Sequence, residues 1–148
     1  MLRHALRVKK WDRACERRND GGFDLPGLIG EKVTAIRLIG LTEIIFGDAH
    51  EFKLQIERDF VVRVPSSATG AKVEFQPYLE GWTPTGMNEL VALFGRTVTQ
   101  ACASPDATLR IDLSEGYGIT VSPDPRFEGW NLWWPENVLG QPAGGGFV

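Results

Sequence analysis

The sequence predicts an α+β fold that is mainly β, made of two pseudo-repeated three-stranded antiparallel units. The units would form one sheet, a sandwich or an open barrel, with an N-terminal helix and one short central helix. Three observations predict this. Apolar and polar residues alternate with a period of two along much of the chain, as half-buried strands require. A segment that begins at Leu28 recurs at Leu93. Helical spacing of apolar residues is confined to the N-terminus and to a stretch after Pro84.

The N-terminal element comes first. Ala5, Val8, Trp11 and Cys15 recur every three or four residues and share one helical face. Asn19-Asp20-Gly21-Gly22 stops this helix. Residues 1–21 then read as a basic helix or arm, and 22–148 as a single β-rich domain with pseudo-repeats over about 25–64 and 90–134.

Phe52, Leu54 and Ile56 alternate with Lys53, Gln55 and Glu57. Ile44 and Phe46 precede the turn signal Gly47-Asp48, so 42–57 predicts a hairpin. Phe60, Val62 and Val64 continue the alternation, with Arg63 facing away, until Pro65. After an irregular stretch, Thr83-Pro84 starts a short helix carrying Met87, Leu90, Val91 and Phe94 and stopping at Gly95. Leu109, Ile111 and Leu113, then Tyr117, Ile119 and Val121, outline a second hairpin across Glu115-Gly116. Residues 127–134 complete the β pattern.

The two halves align at one offset. Leu28-Ile29-Gly30-Glu31-Lys32-Val33-Thr34 matches Leu93-Phe94-Gly95-Arg96-Thr97-Val98-Thr99, and Phe52–Ile56 matches Tyr117–Val121 in its alternation. Gly30 and Gly95 read as left-handed caps, a structural role. Neither belongs to a phosphate-binding loop, since no GxGxxG or GxxxxGK[ST] occurs.

Composition narrows the function. At 148 residues with 43% hydrophobic side chains, the chain has material for one core. No apolar run reaches the roughly 18–20 residues of a membrane span, and no secretory h-region opens the chain. Cys15 and Cys102 read as free thiols of a reducing cytosol, with a disulfide between them left open. A cytoplasmic location is therefore expected. Residues 1–21 carry seven basic and three acidic side chains, a net of +4, and the rest carries nine and sixteen, a net of −7. An acidic body argues against nucleic acid, whose phosphates need Lys and Arg on the docking face. It favours a basic protein partner through electrostatic steering, although acidity that only maintains solubility explains it equally well.

Catalytic signals are sparse. His4 and His50 have no second ligand at metal spacing, and there is no GxSxG. Neither catalytic residue, metal nor cofactor is assigned. A carboxylate pair such as Asp124 with Glu128 leaves a small hydrolase as the alternative. Most other carboxylates alternate with strand apolars and point to solvent.

Arg126-Phe127-Glu128-Gly129-Trp130-Asn131-Leu132-Trp133-Trp134-Pro135 stands apart. As a strand it places Trp130, Leu132 and Trp134 on one face and Phe127 and Trp133 on the other. One face enters the core. Aromatics on the other need a cover, either from this chain or from a partner. Candidate binding residues are Asp124, Phe127, Glu128, Trp130, Trp133 and Trp134.

Pro123-Asp124, Phe127-Glu128 and Trp130, with the L-x-G-x-x-V segment, the glycine-turn hairpin and the Pro142-Ala143-Gly144-Gly145-Gly146 tail, resemble a family of small uncharacterised actinobacterial proteins. That family reads L-x-G-x-x-V, a hairpin, P-D-x-x-[FY]-E-x-W and a Pro-Gly-Gly ending. The resemblance covers about residues 25–148 and leaves the basic N-terminal segment outside. The chain's end at Phe147-Val148 is shorter than the usual ending. No established activity comes with it, but proteins of this type are grouped with immunity proteins that neutralise toxins. The expectation is thus a non-catalytic, immunity- or antitoxin-type binding protein that covers a basic partner. A self-associating structural domain, as a homodimer, is a further alternative.

Overall fold

A computed structural model of the chain describes residues 14–38, 40–74, 85–123, 129–135 and 137–140. The predicted alternation appears as strands. In chain order they are β1 (Glu16–Arg17), β2 (Phe23–Asp24), β3 (Val33–Leu38), β4 (Thr42–Phe46), β5 (Phe52–Ile56) and β6 (Phe60–Val64). There follow β7 (Ser67–Val73), β8 (Val98–Ala103), β9 (Leu109–Leu113), β10 (Gly118–Val121), β11 (Trp130–Trp134) and β12 (Asn137–Gly140). One short helix, α1 (Met87–Val91), precedes β8. No helix among the described residues is long and apolar enough to cross a membrane.

Two parts of the predicted architecture are corrected. The first is the N-terminal helix. Residues 14–24 carry none of it: β1 and β2 pair with each other, and β2 pairs with β8. The turn chemistry of Asn19–Gly22 closes a hairpin instead of capping a helix. Arg18 N donates to Gly22 O at 2.8 Å, and Gly22 N donates to the Asp20 carboxylate at 2.9 Å. Most of the predicted apolar stripe, Ala5, Val8 and Trp11, falls outside the described residues.

The second correction concerns the sheet. Two three-stranded units do not combine into one sheet. The chain forms two antiparallel sheets, a seven-stranded one ordered β1-β2-β8-β9-β10-β6-β7 and a five-stranded one ordered β12-β11-β5-β4-β3. Each sheet mixes strands from both halves. The meander β3-β4-β5 is extended by β11 and β12 from the C-terminal half. The meander β8-β9-β10 is extended by β6 and β7 from the N-terminal half.

Burial explains the mixing. A three-stranded meander exposes its own edge and one apolar face. Pairing β5 with β11 and β10 with β6 closes one edge of each meander. Ile44, Phe46 and Leu54 of one sheet then share a single core with Val62, Ile111 and Ile119 of the other.

The aligned segments meet in this core. Residues 30–33 run antiparallel to 95–98, with Lys32 opposite Thr97. Gly30 N donates to Val98 O and Gly95 N donates to Val33 O, each at 2.8 Å. Val33 N donates to Arg96 O at 2.9 Å, and Val98 N to Glu31 O at 2.8 Å. Leu28 and Leu93 are buried ahead of glycines with φ of +88° and +80°. At this left-handed backbone a Cβ would be strained, which accounts for glycine at both places. Ile29 and Phe94, one residue before the glycines, stay exposed.

Candidate functional site

The aromatic stretch becomes β11, the strand by which the C-terminal half enters the five-stranded sheet. Its alternation sends the three tryptophans to different fates. Trp130 is fully buried, and its indole Nε1 donates to Ala107 O at 2.8 Å. Ala107 sits in the β8–β9 turn of the other sheet, so this bond ties the two layers together. The turn is itself braced, since Thr108 N donates to the Asp106 carboxylate at 3.0 Å and Ala107 N donates to Ser104 O at 2.8 Å. Trp134 packs half-buried against the core, and its buried Nε1 has no hydrogen-bond partner. Only Trp133 faces outward, with 42% of its surface exposed.

Register defines the outer face around Trp133. Trp133 lies opposite Lys53 on one side and Val138 on the other. Lys53 in turn lies opposite Ile45, and Gln55 opposite Glu43, which is opposite Arg37. A polar relay crosses these strands. Trp133 Nε1 donates to Gln55 Oε1 at 2.9 Å, and Gln55 Nε2 donates to Glu43 Oε2 at 3.1 Å. Arg37 Nη2 stands 2.7 Å from the other Glu43 oxygen. That contact is an ion pair off the line of a hydrogen bond, because Glu43 Oε1 is otherwise unpartnered. Glu43 is 2% exposed, so the relay is anchored on a carboxylate removed from solvent. The Lys53 ammonium lies 5.9 Å from the Trp133 ring centroid, within cation–π range.

The other sheet offers a direct comparison. On β6, Arg63 lies opposite Gly118 of β10, as Trp133 lies opposite Lys53 of β5. Gly118 follows Lys53, and Thr120 follows Gln55, at the offset that aligns the two halves. Arg63 Nη1 donates to Thr120 Oγ1 and Nη2 to Ile111 O, each at 2.8 Å, and Nη2 also pairs with the Asp112 carboxylate. The guanidinium lies over Gly118, where any Cβ would collide with it. Burial, and then the charge of Arg110, pull the Arg63 guanidinium below its ordinary value, opposed by Asp112. At matched places one sheet therefore carries a cation spent on internal bonds and the other an exposed indole.

Of the predicted site residues, the structure brings Trp130, Trp133 and Trp134 onto one strand but gives only Trp133 to the surface. Asp124, Phe127 and Glu128 lie outside the described residues, and with them the carboxylate pair of the hydrolase alternative. Among the described residues no three His, Cys, Asp or Glu side chains converge as metal ligands. Arg37, Glu43, Lys53 and Gln55 were not predicted. Lys53 and Gln55 read only as the wet side of a strand. Glu43 carried a signal, a carboxylate immediately before the apolar run Ile44-Ile45-Phe46.

Comparison with known proteins yields one finding. Residues 25–146 match the model of a "Family of unknown function (DUF6188)". No curated protein and no solved structure matches the chain.

Proposed function

Since the chain belongs to DUF6188, a family of unknown function, we propose its role from the site itself: a non-catalytic, cytoplasmic binding protein of immunity or antitoxin type, which covers a protein partner with the outer face of the five-stranded sheet. One observation carries the reading. Trp133 is exposed yet held in place by the relay through Gln55 to the buried Glu43.

Trp133 lies opposite Val138 on the neighbouring strand, and the two, 42% and 50% exposed, make an apolar patch of the kind a partner covers. The matched position on the other sheet supports this, because there Arg63 closes the surface with internal bonds. An indole immobilised before contact loses little side-chain entropy on docking, and Trp is among the residues that dominate interface energies.

The test is calorimetric titration of the full chain against the purified products of the genes adjacent to its own. The expected result is sub-micromolar binding of one of them, weakened at least tenfold by Trp133→Ala without a change in fold by circular dichroism. Absence of binding at micromolar concentrations would refute the proposal. So would a complex indifferent to Trp133→Ala.

A further inference from the structure

We propose that the partner docks an extended segment of its own chain along the open edge of β12, adding a further strand to the five-stranded sheet beside Trp133. This rests on the docking reading above and names the kind of element the partner brings. A partner that covers Trp133 must also cover what lies next to it. Trp133 is opposite Val138, and β12 is the outermost strand on that side. One flank of β12 pairs with β11. Among the described residues no backbone group pairs with the other flank. Alternate residues of β12 turn their N–H and C=O groups to that flank. A surface lying over Trp133 and Val138 withdraws these groups from water, and a buried backbone group without a partner is costly. An extended main chain meets the requirement, because it presents a donor and an acceptor at every second residue.

The two sheets have four edge strands, β1, β7, β12 and β3, and the other three are less suited. β1 is two residues long. In β3 the Val33 N–H and C=O are already bonded to Arg96 and Gly95, and the exposed Arg37 guards the rest. β7 is interrupted by Gly70 at φ +74°, and the Thr85 hydroxyl donates to its Lys72 O. β12, Asn137–Gly140, carries no charged side chain, no proline and no register shift, which are devices that guard an edge. On an added strand, the residue paired with Val138 falls on the Trp133 face. An apolar side chain there extends the Trp133–Val138 patch, whose members are 42% and 50% exposed. Its chain neighbours point the other way, to the side of Leu139, which packs half-buried on the core.

The test is panning a phage-displayed library of random twelve-residue peptides on the immobilised full chain. The enriched peptides are then synthesised with one backbone nitrogen methylated at a time, and their affinities are measured in solution. Methylation deletes a main-chain donor and leaves every side chain in place. The expected result is affinity that falls at least tenfold with Trp133→Ala, and at least tenfold with methylation at every second position but not at those between. Peptides that require Trp133 but lack this alternation would overturn this inference and leave the docking reading standing. Failure to enrich any Trp133-dependent peptide would overturn both. A dimer of the chain in light scattering, abolished by Trp133→Ala, would also overturn this inference, by assigning the face to a second copy.

Discussion

Trp130 and Trp133 are three residues apart on one strand, and their removal should have opposite consequences. Trp130→Phe keeps an aromatic ring in the core but deletes the donor that reaches Ala107 O at 2.8 Å. Ala107 is 0% exposed, so no water readily replaces that donor. An orphaned buried carbonyl costs about 1–3 kcal/mol. The smaller ring also leaves a gap of at least a methyl group in a packed core, worth about 1 kcal/mol. The expected loss is about 2–4 kcal/mol, a large fraction of the roughly 5–15 kcal/mol that separates folded from unfolded domains. Trp133→Ala removes a 42% exposed ring and one surface hydrogen bond, and should cost no more than about 1 kcal/mol. Urea denaturation followed by far-ultraviolet circular dichroism reads both, because that signal does not depend on tryptophan fluorescence. The reasoning fails if Trp133→Ala destabilises as much as Trp130→Phe. Trp133 would then be a structural residue, and its exposure would say nothing about docking.

Three further outcomes are expected. Trp134→Phe removes a buried indole N–H that has no acceptor, so it should be neutral or stabilising by up to about 1 kcal/mol in the same urea assay. Arg37→Met should destabilise more than Glu43→Gln, because the first leaves a carboxylate stranded at 2% exposure and the second leaves a guanidinium already half in water. Cys15 is raised from 9.0 to about 11 by burial and then by the charge of Glu16. Between those values the unfolded chain sheds a proton that the folded chain keeps, so stability is intact below 9.0 and declines as pH rises toward 11. Cys15→Ala should flatten that part of the alkaline stability profile relative to wild type, and identical profiles would contradict the burial of the thiol.

Local pattern was legible in the sequence, and long-range pairing was not. The alternation at Phe52–Ile56 and Leu109–Leu113 predicts β5 and β9, and the turns at Gly47-Asp48 and Glu115-Gly116 place their hairpins. The left-handed glycines at 30 and 95 follow from the same local chemistry. The N-terminal helix failed because a period of three or four over a few residues is weak evidence beside a turn that can equally close a hairpin. Residues 16–24 gain backbone partners on β8 that no local pattern announces. The strand exchange was hidden for a related reason. Period-two alternation tells which side of a strand is apolar, but not which neighbour it takes. Trp133 could therefore be placed on the face opposite Trp130 and Trp134, while which face is buried, and its contacts with Gln55 and Lys53, far away in sequence, could not be read.

The exchange of strands also bears on why the candidate face is a stable platform. β11 is held on both flanks, by β5 and by β12, and Trp130 pins its first residue to the opposite sheet. Removing β11 from the five-stranded sheet would uncover Leu54 and Ile56 and break the tie to Ala107 together. The strand that carries Trp133 is for that reason coupled to both layers of the core, and local fraying there would cost far more than at an edge such as β1. A central strand holds Trp133 in position, and the relay to Glu43 keeps its orientation. The two constraints act on different degrees of freedom, backbone and side chain. Cutting the relay with Gln55→Ala should loosen the indole without moving β11, so that a docking partner would lose affinity through side-chain entropy alone.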